Sequence, residues 1–224
     1  MVFNPNATVQ PLDTAADFVE YLLNGDASAI TLVVCSTREA FLQQFCASIA
    51  RASLHEDPDT PPQLSQDRTD NDRNILLNPQ LYNTIRLISQ SKRVTLAFCP
   101  TLDHFRAYIS VFHRPIPPLQ GDSRYPGRQV LAILDLVALH YQAREFSAQG
   151  IAKTLALAVE VSARERVHLT ICECNDANRQ DDTRSSMWDR DISLLSDQRR
   201  VIEEGSQSRT FKAKQIAKRW FNFV

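Results

Sequence analysis

The chain has 224 residues, of which 43% are hydrophobic and 23% charged, and its 25 basic side chains nearly balance 26 acidic ones. This length supports one domain, or at most two small ones. The composition excludes a disordered protein, a collagen-like repeat and a disulfide-stapled mini-domain. A formal charge of -1 provides no overall attraction to nucleic acid or to an anionic membrane. Only five residues are glycine, which disfavours the glycine-rich loops that cradle phosphates.

The N-terminus and the cysteines predict an intracellular, metal-free protein. No apolar run reaches the roughly 18 residues of a membrane-spanning helix, and Met1–Leu12 lacks the basic and apolar regions of a secretory signal. Cys172 and Cys174 form a C-x-C pair, but no second such pair completes a metal site. Four of the five cysteines fall in apolar segments, where buried reduced thiols are expected: Cys35, Cys46, Cys99 and Cys172.

The N-terminal quarter predicts a helix, a buried strand and a second helix. Thr14 followed by Asp17 resembles a capping box at the start of a helix over Asp13–Asn24. The apolar, β-branched run Ala29–Cys35 is typical of a strand buried on both faces. Ser36 or Thr37 then caps a helix that extends to about Ser53.

The middle of the chain continues this alternation after an acidic interruption. Residues 55–74 contain three prolines and six acidic side chains, a composition that predicts an exposed or disordered loop within one domain. Asn78-Pro79 predicts the start of the next helix. Val94–Cys99 is a second predicted buried strand, and Leu102–Phe112 is the helix that follows it.

Two further strands complete the predicted sheet. A proline-rich loop, Arg114–Pro126, precedes the most apolar strand, Val130–Asp135. Ser147 caps a long helix over Ala148–Arg164, and Val167–Cys172 is the fourth strand. Buried strands separated by helices indicate parallel pairing, because helices then cover both faces of the sheet. We therefore expect one α/β domain over 1–224, a three-layer sandwich with a mostly parallel, Rossmann-like sheet.

The C-terminal residues leave two structures open. The alternation of Phe211, Ala213 and Gln215 with two lysines favours an antiparallel hairpin beside part of the sheet. An amphipathic helix from Lys212 to Phe221 is the competing prediction.

The loop after the first predicted strand is where an open α/β sheet would hold a nucleotide. It contains Ser36, Thr37 and Arg38 but neither the glycines nor the lysine of a phosphate-binding loop, and Glu39 opposes an anion. Asp135 ends an apolar strand, as a magnesium-linked acid does beside such a loop, although many buried strands end in Asp at a turn. These residues form at most a degenerate nucleotide site.

Motifs for covalent or acid–base catalysis are missing from the sequence. No G-x-S-x-G elbow occurs, and no Cys-His or Ser-His arrangement can be recognised from spacing. The histidines at 104, 113, 140 and 168 adjoin apolar elements and are interpreted as boundary or core residues. We therefore predict no catalytic residues, no metal and no cofactor.

Basic charge is concentrated near the C-terminus, where Trp220, Phe221 and Phe223 follow it. Cations interleaved with aromatic rings could follow a phosphate backbone and stack on bases. The alternative is an element that packs its apolar side on the sheet and turns its lysines to water. Only Glu203 and Glu204 oppose the seven candidate nucleic-acid-binding residues, which are Arg199, Arg200, Arg209, Lys212, Lys214, Lys218 and Arg219.

The order of these parts resembles the RecA-like core of recombinase paralogues and of the RecA-like Elongator subunits. The resemblance rests on layout rather than on a diagnostic motif, since the family's phosphate loop is missing. It implies that Cys35–Glu39 is a degenerate phosphate loop and that Asp135 is the relic of the metal-associated acid. The segments that carry it are Ile30–Ala50, the strand ending in Asp135, Ser147–Arg164, Val167–Cys172, Trp188 with Ile192–Leu195, and 209–221, which is similar to the family's terminal β-meander.

The resemblance implies a pseudo-ATPase, similar to the small subunits of Shu-type recombination accessory complexes. On this hypothesis the chain is a non-catalytic nuclear subunit that pairs with other RecA-like proteins in recombinational DNA repair and touches DNA weakly through its basic end. The alternatives are a structural subunit of another assembly such as Elongator, with the cytoplasm as the alternative location, and a Rossmann-like transferase.

Overall fold

The structure is a computed structural model that describes residues 7–54, 90–114, 127–143, 145–174, 186–194 and 210–224. The predicted acidic loop at 55–74 and the helix start at Asn78-Pro79 lie outside these ranges, as does most of the proline-rich loop. Within the described residues, none of the helices is long and apolar enough to cross a membrane.

Six strands of the described residues form the central sheet, and every neighbouring pair among them is parallel. The strands are β1 (Ala7–Gln10), β2 (Ala29–Val34), β3 (Val94–Phe98), β4 (Gln129–Leu134), β5 (His168–Cys172) and β8 (Asn222–Phe223). Their order across the sheet is β3-β2-β4-β5-β1-β8. The predicted α/β sheet is thereby confirmed, and the ends of β2, β3, β4 and β5 lie within two residues of the predicted ones.

Alternating side chains of the strands enter two separate cores, as a sheet covered on both faces requires. Leu131 and Ile133 point into the larger core, whereas Ala132 and Leu134 point into the smaller one. The larger core is covered by α3 (Leu102–Ser110), α4 (Leu136–Gln142), α5 (Ala148–Glu165) and α6 (Ala213–Ala217). The smaller core is covered by α1 (Ala15–Asn24) and α2 (Arg38–Leu54). These layers are the predicted three-layer sandwich.

Two elements of this sheet and its layers escaped the sequence prediction. Strand β1 has four residues, of which two are polar, and it is held between β5 and β8 by backbone pairing on both sides. Helix α4 has seven residues and starts directly after Asp135, whose left-handed backbone (φ 62°) ends β4. Both elements are too short for a periodic pattern, so tertiary contacts rather than local sequence stabilise them.

The C-terminal region confirms the predicted antiparallel hairpin and corrects its position. The hairpin joins β6 (Asp191–Ser193) to β7 (Thr210–Lys212) in a separate two-stranded sheet rather than beside the central one. The next residues form the short helix α6 instead of continuing the strand, and β8 then joins the central sheet in parallel beside β1. The helix alternative over 212–221 was too long, and a terminal β-meander is not formed by the described residues.

Candidate functional site

The carboxyl ends of β2 and β4 lie side by side at the point where their connections diverge, which is the usual ligand position in such sheets. Cys35 N donates to the Leu134 carbonyl at 3.0 Å, so the two strand ends are bonded to each other. Ser36 and Asp135, two of the predicted site residues, line one small cavity of about 180 Å³ there. Other residues of its lining are Cys35, Gln43, Gln142 and Cys174.

The loop after β2 is closed by its own hydrogen bonds. Thr37 Oγ1 accepts from Ala40 N at 3.2 Å and caps α2, while Ser36 Oγ donates to the Thr37 carbonyl at 3.3 Å. Arg38 and Glu39 are both exposed and lie outside the lining of the cavity. The structure therefore brings Ser36 to Asp135 but does not bring the Arg38 guanidinium there.

Asp135 is engaged in holding the backbone together. Its Oδ1 accepts from Cys174 N at 2.8 Å, and its own N–H donates to the Cys172 carbonyl at 2.9 Å. These bonds tie the end of β4 to the end of β5 and fix the left-handed residue that starts α4. The carboxylate thus has a structural task, which was the competing interpretation of the strand-ending acid.

Glu173 is a buried acid at this site that the sequence prediction missed. Its carboxylate accepts from Val137 N at 2.6 Å and from Ala138 N at 3.0 Å, which caps the first turn of α4. Burial and the neighbouring Asp135 charge raise the pKa of Glu173 well above its ordinary value, and the two N–H groups oppose that shift. An acid between two cysteines after a buried strand has no recognisable capping pattern, because the helix that it caps lies 36 residues away in sequence.

The thiols around this cavity are buried and protonated. Burial, followed by the charge of Glu173, raises the pKa of Cys35, and a hydrogen bond with Cys172 together with burial raises that of Cys174. The prediction of buried thiols was wrong for Cys46, which is exposed on α2, and right for the other three, while Cys174 is also buried. Across the described ranges, no group of three or more His, Cys, Asp or Glu could hold a metal ion.

The four histidines among the described residues do not gather at a site. His140 is fully buried in α4, where burial is the main cause that lowers its pKa from 6.5 to about 4. His168, at the amino end of β5, has a pKa of about 4 because of partial burial and the adjacent Arg128 guanidinium. His104 and His113 are exposed. These positions fit the predicted core and boundary roles.

The described part of the basic region is the segment 210–224, which contains four cations and no acid. Lys212, Lys218 and Arg219 are exposed, and Lys214 is half-buried with its Nζ 5.2 Å from the centre of the Phe223 ring. None of the ion pairs between described residues involves these four side chains. Asp191 stands opposite Lys212 in the β6–β7 register and is the nearest acid in that pairing. Arg199, Arg200 and Arg209 lie outside the described residues.

A larger groove of about 660 Å³ lies beside this segment. We call it the Phe211 groove: it runs between β7, α6 and the first turns of α5, and its walls include Leu194, Phe211, Ile216, Gln149, Gln215 and Arg219. The sequence prediction identified Arg219 as a binding residue but not the groove, because three segments distant in sequence form it.

Compared with protein-family models, with curated proteins and with solved structures, the chain matches none. The interpretation of the site therefore depends on its geometry, and the RecA-like resemblance stays a prediction.

Proposed function

We propose that the chain is a non-catalytic subunit of a heteromeric assembly in nuclear recombinational DNA repair, and that it touches DNA through its C-terminal segment. The observation that carries the proposal is the segment 210–224, where four cations without an acid are attached to the central sheet through β8. A fixed basic surface attracts a phosphate backbone despite the near-zero net charge of the whole chain.

The N-termini of the helices at the carboxyl end of the sheet support a role without nucleotide hydrolysis. Phosphate binding at these positions uses unoccupied N–H groups of a helix N-terminus. Helices α1, α2 and α3 each have such an N–H group occupied by a threonine of the chain itself, and α4 is capped by Glu173. The Asp135 carboxylate at the switch point would also repel a phosphate.

The size of the switch-point cavity speaks against the transferase alternative. Pockets for small-molecule ligands and cofactors usually measure about 300–1,000 Å³. The cavity at Ser36 and Asp135 measures only about 180 Å³. Burial raises the pKa of the Cys35 and Cys174 thiols in its lining, so neither thiol is an activated nucleophile.

A feature at the far edge of the sheet supports the subunit part of the proposal. Parallel sheets are normally covered on both faces, yet Leu96 is 48% exposed in β3, which is the edge strand of the sheet that the described residues form. An edge strand with an exposed apolar side chain favours pairing with another chain. Native purification followed by mass spectrometry distinguishes the partners: recombination proteins would support the repair assembly, and Elongator subunits would support the alternative.

The DNA contact is tested by charge reversal at one exposed cation. Lys218→Glu should weaken binding to both single-stranded and duplex DNA and lower the slope of log affinity against log salt by about 1. The matched control is Lys92→Glu, the same change at an exposed position next to β3 at the opposite edge of the sheet. Fluorescence anisotropy over a salt series measures both. Equal affinities for Lys218→Glu and the unmodified chain would refute the DNA contact.

A further inference from the structure

We infer that the Phe211 groove receives one unpaired base of a single-stranded nucleic acid, with the adjoining phosphate beside Arg219. This inference rests on the proposed function and adds to it the class of nucleic acid that the basic segment prefers.

The shape of the groove suits a flat, largely apolar group. Its volume of about 660 Å³ lies within the range of pockets that hold small organic ligands. Leu194 and Ile216 provide aliphatic walls, and the Phe211 ring, 37% exposed, borders the same space. A nucleobase stacks on such a ring whatever its identity, because every base has a π-face.

The polar atoms of the groove favour an anion attached to that flat group. Arg219 lines the groove, and its guanidinium carbon lies 5.2 Å from the centre of the Trp220 ring. The first N–H groups of α5 are already occupied, because Gly150 N donates to Ser147 Oγ and Gln149 N donates to the Leu194 carbonyl, so Arg219 supplies the positive charge of the groove. No carboxylate is among the described residues that line it. This is the charge arrangement expected for a phosphate beside a stacked base.

The amide side chains of Gln149 and Gln215 can form hydrogen bonds with the edge of a base without selecting one base over another. Gln215 Oε1 accepts from Lys212 N at 3.3 Å, which orients its NH₂ group as a remaining donor. The backbone of Gln149 is fixed by its N–H, which donates to the Leu194 carbonyl at 3.4 Å. The groove therefore combines a ring for stacking, amides for hydrogen bonds and a cation.

This combination separates single strands from duplexes. In a duplex the bases are stacked on each other and paired, so a base reaches a side groove only after costly unstacking. A single strand presents its bases without that cost. Duplex DNA should use the exposed lysines alone, whereas a single strand should use the lysines and the groove together.

The experiment compares Phe211 variants on matched ligands by fluorescence anisotropy. The ligands are a thymidine strand of about 20 nucleotides, a uridine strand and a DNA duplex of the same length, and the mononucleotide dTMP as competitor. Phe211→Ala should weaken single-strand binding about tenfold and leave duplex binding unchanged. Phe211→Tyr, which keeps the ring, should bind as the unmodified chain does, and Phe211→Leu, which keeps only apolar bulk, should not. Val111→Ala, a change at a 69% exposed apolar residue after α3, is the control.

The outcomes separate this inference from the function on which it rests. If Phe211→Ala binds single strands normally while Lys218→Glu still weakens binding, the groove inference is wrong and the DNA contact stands. If no nucleic acid binds to the chain, both are wrong and the groove is left for a protein partner. If dTMP binds as tightly as the strand, the occupant is a free nucleotide and the inference of a strand is overturned. If Phe211→Ala loses more affinity for the thymidine strand, the source of the base is DNA; if it loses more affinity for the uridine strand, the source is RNA.

Discussion

Asp135 and Glu173 hold each other's strand ends in place. Glu173 accepts from Val137 N at 2.6 Å and from Ala138 N at 3.0 Å, both in the first turn of α4, which follows Asp135. Asp135 in turn accepts from Cys174 N, directly after Glu173, at 2.8 Å. In α/β enzymes this position commonly holds a ligand. Here the turns after β4 and β5 are hydrogen-bonded to each other at this position, and both acids have a structural role.

The first prediction concerns Glu173. Glu173→Gln should lower the free energy of unfolding by about 1–3 kcal/mol, because the amide NH₂ cannot accept the hydrogen bond that one backbone N–H now donates. Urea unfolding followed by circular dichroism measures the change. Glu160→Gln, at an exposed position of α5, is the control and should have almost no effect. Equal stabilities of the two variants would contradict the capping role.

The second prediction separates two substitutions of Asp135, whose backbone is left-handed with φ 62°. Asp135→Asn should be nearly neutral, since asparagine tolerates this conformation and its oxygen can accept from Cys174 N. Asp135→Val should cost about 2–4 kcal/mol, because a β-branched residue is strained there and the hydrogen bond is lost.

The same pair of variants tests the acid for any remaining metal chemistry. Differential scanning fluorimetry with magnesium and ATP should give the same thermal shift for the Asn variant as for the unmodified chain. A magnesium-dependent shift that is present in the unmodified chain and absent from both variants would mean that the carboxylate still serves a nucleotide.

The third prediction is the pH dependence that His140 brings. Its pKa in the folded chain is about 4, below the ordinary 6.5, so acidification protonates the unfolded chain first. The contribution of neutral His140 to the free energy of unfolding is fully present above pH 6.5. It is lost as the pH falls from 6.5 to 4, and the loss amounts to up to about 3 kcal/mol. His140→Leu should remove this part of the acid sensitivity.

The measurement for His140 is the difference in unfolding free energy between the two chains at several pH values. The difference is needed because His168 changes stability in the same direction, whereas Glu173, with its raised pKa, changes it in the opposite one. A difference that stays constant between pH 4 and 7 would mean that His140 titrates normally in the folded chain.

The fourth prediction runs against helix propensity. Gly150 lies in the first turn of α5, where alanine is favoured over glycine by about 1 kcal/mol. A Cβ at this position would lie 2.6 Å from the Glu145 carbonyl oxygen, closer than any such contact tolerates. Gly150→Ala should therefore destabilise the chain by about 1–3 kcal/mol.

Thermal unfolding measures the effect of Gly150→Ala. Ala163→Gly, at an exposed position near the other end of α5, is the control and should lose only the propensity difference of about 1 kcal/mol. A higher melting temperature for Gly150→Ala would show that the Glu145 carbonyl moves away at no cost.

The long apolar elements could be predicted from local sequence. In runs such as Ile30–Val34 and Leu131–Leu134 every residue except Thr31 is apolar, so apolar side chains lie on both faces of the strand, and both faces need cover in a layered parallel sheet. The caps Thr14 and Ser147 were recognised because a cap bonds to an N–H group only three residues away. Short elements such as β1 escaped because four residues carry too little pattern.

The candidate sites were decided by contacts between residues far apart in sequence. Local sequence identified Ser36, Asp135 and Lys218, but not that Glu173 would cap a helix 36 residues earlier or that Phe211 would face the start of α5. Helix and strand formation follows from hydrophobic spacing within a few residues, which a sequence displays directly. Strand order, buried hydrogen bonds and grooves arise only when the chain packs. For this protein the sequence alone therefore determined the α/β layers, and the tertiary structure decided which side chains meet at the ends of the strands and helices.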